Sequence, residues 1–330
     1  MPHLFIVRRA VLALGPIAFS MACSLGAAGS ALAQQQPLRI LVGYPAGGSA
    51  DAAARALAEP LHAALGRPVV VDNRPGAGGM IAAQLMKAAP ADDSTVLLVN
   101  DHMVSMIPFT MKNAGYDPVK DFASLGQVAR FNLALGVSAA SGIRTVADYL
   151  REARAVRSVA AYGIPAPGSS TQFVGYVLGK SASVDLVPLP YKGAAPLVTD
   201  VLGNQVSSGI VPVTDFAEHH KAGKLRVLAV TGKARSALLP EVPTFTELGY
   251  AGLDHDNFAG FYAPARSSAR FIAAFTEALR AALAQTELRE RFFKLGIEPA
   301  YAPPQEFSDT VAADSVYWGG IVRQSGFQPQ

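Results

Sequence analysis

Short apolar runs alternate with amphipathic stretches along most of the chain. Leu38-Arg39-Ile40-Leu41-Val42-Gly43 is mostly apolar and too short for a helix, so it predicts a buried strand. Tyr44-Pro45-Ala46-Gly47-Gly48 interrupts it, and helical spacing begins, with Ala53, Leu57, Leu61 and Leu65 repeating every fourth position. Ser49 or Asp51 is placed to cap this helix, Gly66 to stop it and Pro60 to kink it. The succession recurs. Val69 to Val71 predicts a strand, Asp72 to Gly79 a turn-rich loop, Met80 to Ala88 a helix and Val96 to Val99 a strand. Strand, loop, helix, strand is the order of a parallel sheet covered on both faces.

Asp117 to Ser124 then looks like a connection, Leu125 to Val137 like extended chain and Thr145 to Ala155 like a helix. A second series follows, with strands at Val159–Tyr162, Val184–Leu189, Val206–Val211 and Leu225–Thr231, and helices at Thr171–Lys180 and Ala194–Leu202. Three helices close the chain, at Ala269–Ala284, Glu287–Leu295 and Pro304–Ser325. Two α/β series with a helical tail predict two lobes, and more than one connection between them makes a hinged cleft suited to small-molecule capture.

The first residues follow another pattern. Arg8 and Arg9 precede an uncharged apolar stretch, Val11 to Ala28, and Ala31-Leu32-Ala33 fits a small-x-small cleavage site. Residues 1–33 therefore read as a signal peptide cleaved near Ala33, which directs the protein to the periplasm; the arginine pair admits the twin-arginine route beside ordinary secretion. Cys23 is the only cysteine, so the exported protein has none and core burial must stabilise it. About 300 residues is more than one core usually covers, which again gives two domains. The formal net charge of +3 falls to +1 without Arg8 and Arg9. With no basic cluster in the chain, nucleic acid is excluded as a partner.

Four loops follow predicted strands and open helices, where glycine lets a ligand approach the backbone and free N–H groups favour an anion. They are Tyr44 to Asp51, Asn73 to Gly79, Gly163 to Gln172 (with Gly168, Ser169, Ser170 and Thr171) and Tyr191-Lys192-Gly193. Each also reads as a turn with a cap, and Arg74 reads as a brace. Asn100-Asp101-His102 ends a predicted strand and is placed to line a cleft. Asp101 and His102 form the chain's one acid–base pair suited to catalysis, without a positioned reactive partner. Asp215 is a weaker candidate of the same kind. Glu218-His219-His220 reads as a solvated helix end, and no motif implies a metal or a cofactor.

Taken in order, several segments resemble one family, the Bug-type receptors of tripartite tricarboxylate transporters. They are Tyr44 to Asp51, Val69 to Gly79, Tyr116 to Phe122, Tyr191-Lys192-Gly193, Lys224 to Thr231 and Glu241-Val242-Pro243-Thr244-Phe245. The resemblance covers nearly the whole exported chain. It implies an α/β periplasmic binding protein of type II, two lobes closing like a flytrap, with lobe 1 from residues 34–128 and 256–330 and lobe 2 from 129–255. It implies a non-catalytic monomer without cofactor that captures a small organic carboxylate and delivers it to membrane permease subunits. By position, the ligand candidates are Tyr44, Ala46, Gly47, Gly48 and Ser49 in one lobe and Ser169, Ser170, Thr171, Tyr191 and Asp215 in the other. The departures from the family pattern are Tyr44 and Ala46 in the first loop, Gln172 where a histidine is common, and Asn100-Asp101-His102. An acid at Asp101 would repel a second ligand carboxylate, which points to a monocarboxylate or a ligand carrying a donor group. The alternatives are a receptor serving a membrane signalling kinase and an acid–base enzyme using Asp101 and His102.

Overall fold

The computed structural model describes residues 36–330, so the leader expected over residues 1–33 lies outside it. The described chain folds around two mixed sheets. The first sheet takes β1 (Leu38–Val42), β2 (Val69–Asn73), β3 (Thr95–Asn100), β4 (Phe122–Phe131), β10 (Asn257–Pro264) and β11 (Glu298–Ala302), in the spatial order β11-β4-β10-β3-β1-β2. The second takes β5 (Leu133–Ser138), β6 (Ala161–Ile164), β7 (Val187–Pro190), β8 (Ser208–Pro212) and β9 (Leu225–Val230), in the order β7-β6-β8-β5-β9. In each sheet three strands run parallel, β1, β2 and β3 in one and β6, β7 and β8 in the other. Their carboxyl ends carry the candidate loops, the usual binding edge of open α/β sheets.

Helices cover the sheets as the apolar spacing requires. On the first sheet these are α1 (Ser49–Leu65), α2 (Met80–Ala88), α8 (Ala269–Ala284) and α9 (Thr286–Lys294). A π-helical turn, His102–Met106, leads from the end of β3 into the short helix α3 (Ile107–Thr110). With the second sheet come α4 (Val146–Ala155), α5 (Ser170–Ala182), α6 (Ala194–Leu202) and α7 (Val213–Lys221). The last helix, α10 (Pro304–Ser325), belongs to both cores. Phe307 and Val311 are buried in the first, and Trp318 and Val322 in the second. A fully buried apolar side chain contributes roughly 1.5–3 kcal/mol, so α10 ties the two sheets together by burial at both ends.

The chain crosses between the sheets twice, at Asn132 and over residues 231–256. The crossings are bonded to each other. Asn132 Nδ2 donates to the Thr231 carbonyl at 2.6 Å, and the Leu133 amide donates to Thr231 Oγ1 at 2.9 Å.

Several local expectations change. The extended stretch foreseen over Leu125–Val137 is two strands, β4 and β5, divided at Asn132 between different sheets, and β4 already starts at Phe122 within the expected connection. Pro60 lies inside α1, as expected, and the helix runs from Ser49 to Leu65. Neither Ser49 nor Asp51 is the N-cap; Gly48 is, and Asp51 reaches back instead to accept the Gly47 amide at 2.9 Å. Strands β10 and β11 had no sequence signal. β10 contains Gly260, whose missing side chain makes room for the Phe307 ring, since a Cβ there would lie 2.4 Å from it. β11 carries Pro299 and sits at the sheet edge, where a strand proline is tolerated.

Candidate functional site

The first loop leaves β1 at Tyr44 and enters α1 at Ser49. Pro45 to Ser49 is exposed, while Tyr44 is half-buried and fastened on three sides. Its carbonyl accepts Asn73 Nδ2 at 3.1 Å, its hydroxyl reaches the Gly78 carbonyl at 3.1 Å, and Asn100 Nδ2 donates to that hydroxyl at 2.8 Å. A phenol has one proton, so the consistent assignment is donation to Gly78 and acceptance from Asn100. Tyr44 thus joins the loops after β1, β2 and β3. Burial raises its pKa, and it stays neutral.

Beyond Tyr44 the α1 terminus faces solvent. The first amides of a helix have no intrahelical acceptor, which leaves those of Ser49, Ala50 and Asp51 pointing outward. The Asp51 carboxylate at this terminus is buried, accepts Arg55 Nε at 2.9 Å and is thereby paired. Burial works against its charge, but the bonds from Arg55 and Gly47 outweigh that and lower its pKa. Arg74 is paired too, at 2.9 Å from Asp72, and braces its loop.

The facing loop, between β6 and α5, is packed rather than open. Gly168, Ser169, Ser170 and Thr171 are all buried. Ser169 Oγ donates to the Ala166 carbonyl at 2.7 Å and lies 2.7 Å from Thr171 Oγ1, while Gln172 Oε1 accepts the Gly168 amide at 2.8 Å. Gly168 has φ +69, and a Cβ there would lie 2.9 Å from Thr110 Cβ of α3. The α3 turn therefore seats directly on this loop.

Asn257, at the start of β10, connects the two loop sets. Its Nδ2 donates to Asp101 Oδ2 at 2.6 Å and to Ser170 Oγ at 3.0 Å. Asp101 follows β3 and Ser170 opens α5, so one amide holds a group from each sheet. Asp101 is only 2 % exposed, and its charge acts on this junction rather than on open solvent.

A family model described as tripartite tricarboxylate transporter family receptor matches residues 53–327. The chain belongs to this receptor family. It is 32 % identical over 306 residues to the "UPF0065 protein in gbd 5'region" of Cupriavidus necator, covering 93 % of this chain and 92 % of that one. Among solved structures, the periplasmic binding protein BugD is 28 % identical with a TM-score of 0.81, over 90 % of this chain and 99 % of BugD. "R. palustris Rpa4515 with adipate" is 27 % identical with a TM-score of 0.83, over 90 % of this chain and 99 % of that one. The fold is thus that of a two-lobed α/β periplasmic binding protein, and the chain is a receptor of the TctC solute-binding family.

The other candidates in this receptor are dispersed. His102 is buried under the Gly78 backbone, where a Cβ would lie 2.4 Å from its Nε2, and burial lowers its pKa to about 4. No hydrogen bond joins it to Asp101 among the described residues, so the acid–base pair suggested by their adjacency is not assembled. Tyr191 donates its hydroxyl to Asp200 Oδ2 at 2.9 Å. Asp215 stands in the first turn of α7, half-buried, and burial pushes it up to about 6. Lys192 is exposed. His219 and His220 form no metal site, and His220 Nδ1 instead accepts the Val227 amide at 3.0 Å. Among the described residues no group of three His, Cys, Asp or Glu side chains is arranged to hold a metal. A cavity of about 330 Å³ lies away from these loops, where Tyr176 and Lys180 of α5 meet Tyr317 of α10.

Asn257 escaped sequence reasoning, as did Thr110. Neither lies in a motif. Asn257 follows Leu253-Asp254-His255-Asp256, which reads as a polar turn, and only the return of the chain to the first sheet gives it two acceptors.

Proposed function

We propose that the receptor captures a small organic carboxylate between its two loop sets and delivers it to the permease subunits of a tripartite transporter. The observation that carries this reading is the convergence, through Asn257, of the loop after β3 with the start of α5. The lobes of this reading are residues 34–128 with 256–330, and residues 129–255. The ligand carboxylate sits at the outward amides of the α1 terminus beside Ala46, Gly47, Gly48 and Ser49, where dipole and N–H groups favour an anion without a cation. Tyr44 and Asn100 hold that loop in shape, and Gly168 with the Ser169-Ser170-Thr171 hydroxyls forms the opposing wall. Tyr191 and Asp215 flank it. The adipate found in a relative of similar fold makes a dicarboxylate the first ligand to try. The protein acts as an exported periplasmic monomer and performs no chemistry on what it binds.

A thermal-shift screen against mono-, di- and tricarboxylates, aromatic acids and neutral controls tests this. A ligand at a hundredfold excess over its Kd adds about 2.7 kcal/mol of stability. A rise in Tm with one acid class, and no product by mass spectrometry after incubation, is the expected result. No rise with any acid overturns the carboxylate assignment, and turnover of a bound acid overturns the non-catalytic one.

A further inference from the structure

The junction between the sheets holds ionisable groups that ligand capture leaves unused. Asp101, Asn257 and Ser170 are all buried, at 2, 1 and 5 % exposure. Two residues before Asn257, His255 contacts Asp314 of α10, whose side chain is fully buried. The His255 ring stacks on Tyr317 at 4.5 Å with the planes 8° apart, and meets Trp318 edge-on. Asp314 Oδ2 has no hydrogen-bond partner. The groups whose charge reaches Asp101 are Asp314 from α10 and His255 from the crossing segment, with the Tyr44 phenol near it on the first loop. Those reaching His255 are Asp314, Asp101 and Asp256. Two buried carboxylates and one imidazole therefore share a small space at the hinge. Fully ionised they leave one uncompensated negative charge there, which a low-dielectric interior disfavours.

We propose that closure of the lobes is linked to uptake of a proton, because bringing Ser170 onto Asn257 seals Asp101 away from water beside Asp314. This regulation belongs to the same cleft and rests on the capture reading. Both shifts have the same sign. Burial, and then the Asp314 charge, push Asp101 from 3.8 up to about 7. Burial opposes the His255 charge, but the contact with Asp314 outweighs it and raises the imidazole. A group whose pKa is raised in the closed form favours that form at low pH and loses the effect as pH rises through the raised value. Closure is therefore favoured below about pH 7, and the preference fades as pH rises toward that value and is lost above it. One proton changes the closed-to-open ratio by at most about tenfold per pH unit inside the window.

The test needs no ligand. Spin labels on Glu59→Cys in α1 and Glu152→Cys in α4, in a Cys23→Ser background, report the distance between the lobes by double electron–electron resonance. The short-distance population should grow as pH falls from 8 to 5, and Asp101→Asn, which keeps an acceptor for Asn257 but cannot titrate, should flatten the response. A pH-independent distribution in the parent overturns the proposal, as does an unchanged response in Asp101→Asn. His255→Gln supplies a second variant should Asp101→Asn not fold, and it should shift the midpoint upward, because Asp101 loses the neighbouring positive charge that favours its ionised form; an unmoved midpoint counts against the proposal. Calorimetry with adipate keeps the two readings apart. Absence of binding heat from pH 5 to 8 tells against the carboxylate reading, while the ligand-free distances still decide the proton linkage.

Discussion

The loops that open α1 and α5 share one grammar, strand to glycine and small polar residues to helix, yet the structure uses them in opposite ways. In the first, Pro45 to Ser49 is exposed and only Tyr44 is tied down. In the second, every residue from Gly168 to Thr171 is buried, and its hydroxyls are spent on Ala166, on Asn257 and on each other. The contrast teaches that hydroxyls at a helix start do not by themselves mark a free anion site. What decides is whether another part of the chain has already claimed them. Here α3 and Asn257 reach the α5 loop, whereas beyond Tyr44 the side chain that reaches back to the α1 loop is Asp51, on the Gly47 amide.

Glycine substitutions break this comparison most directly. Gly168→Val adds left-handed strain to a Cβ contact of 2.9 Å with Thr110, and should cost about 2–4 kcal/mol in urea unfolding. A cost under about 1 kcal/mol would mean that α3 does not seat on this loop. Tyr44→Phe removes the hydroxyl shared by Gly78 and Asn100 and should cost about 1–2 kcal/mol, with carboxylate affinity falling as the first loop loosens. Unchanged affinity despite lost stability would separate loop order from binding. Gly47→Ala should have the smallest effect. Gly47 has φ +85 but nothing within 4 Å of a Cβ, so only the backbone strain of about 1 kcal/mol remains. A loss as large as that of Gly168→Val would show that the first loop packs against something after all.

The parallel strands β1, β2, β3, β6 and β8 were legible because each is a compact apolar run followed by turn residues. So was α10, whose expected limits, Pro304 and Ser325, are those observed. The candidate loops were legible for the same reason, since glycine and serine after such a run mark a helix entry. β10 was not. Gly260 and Pro264 give it the composition of a loop, and it becomes a strand because β3 and β4 flank it and Phe307 needs the room at Gly260. The division at Asn132 was hidden because apolar residues on both sides read as one continuous strand.

Local chemistry alone determined the alternation of elements, the position of the loops at the carboxyl ends of strands and the absence of any cysteine, hence of any disulfide, within residues 36–330. Periodicity and turn preferences act over a few residues and leave their record in order along the sequence. Tertiary structure alone decided which loop is open and which is sealed. Asn257 lies 156 positions from Asp101 and 87 from Ser170, and it bonds both. Hydrogen bonding and desolvation act through space, so no window along the chain contains them.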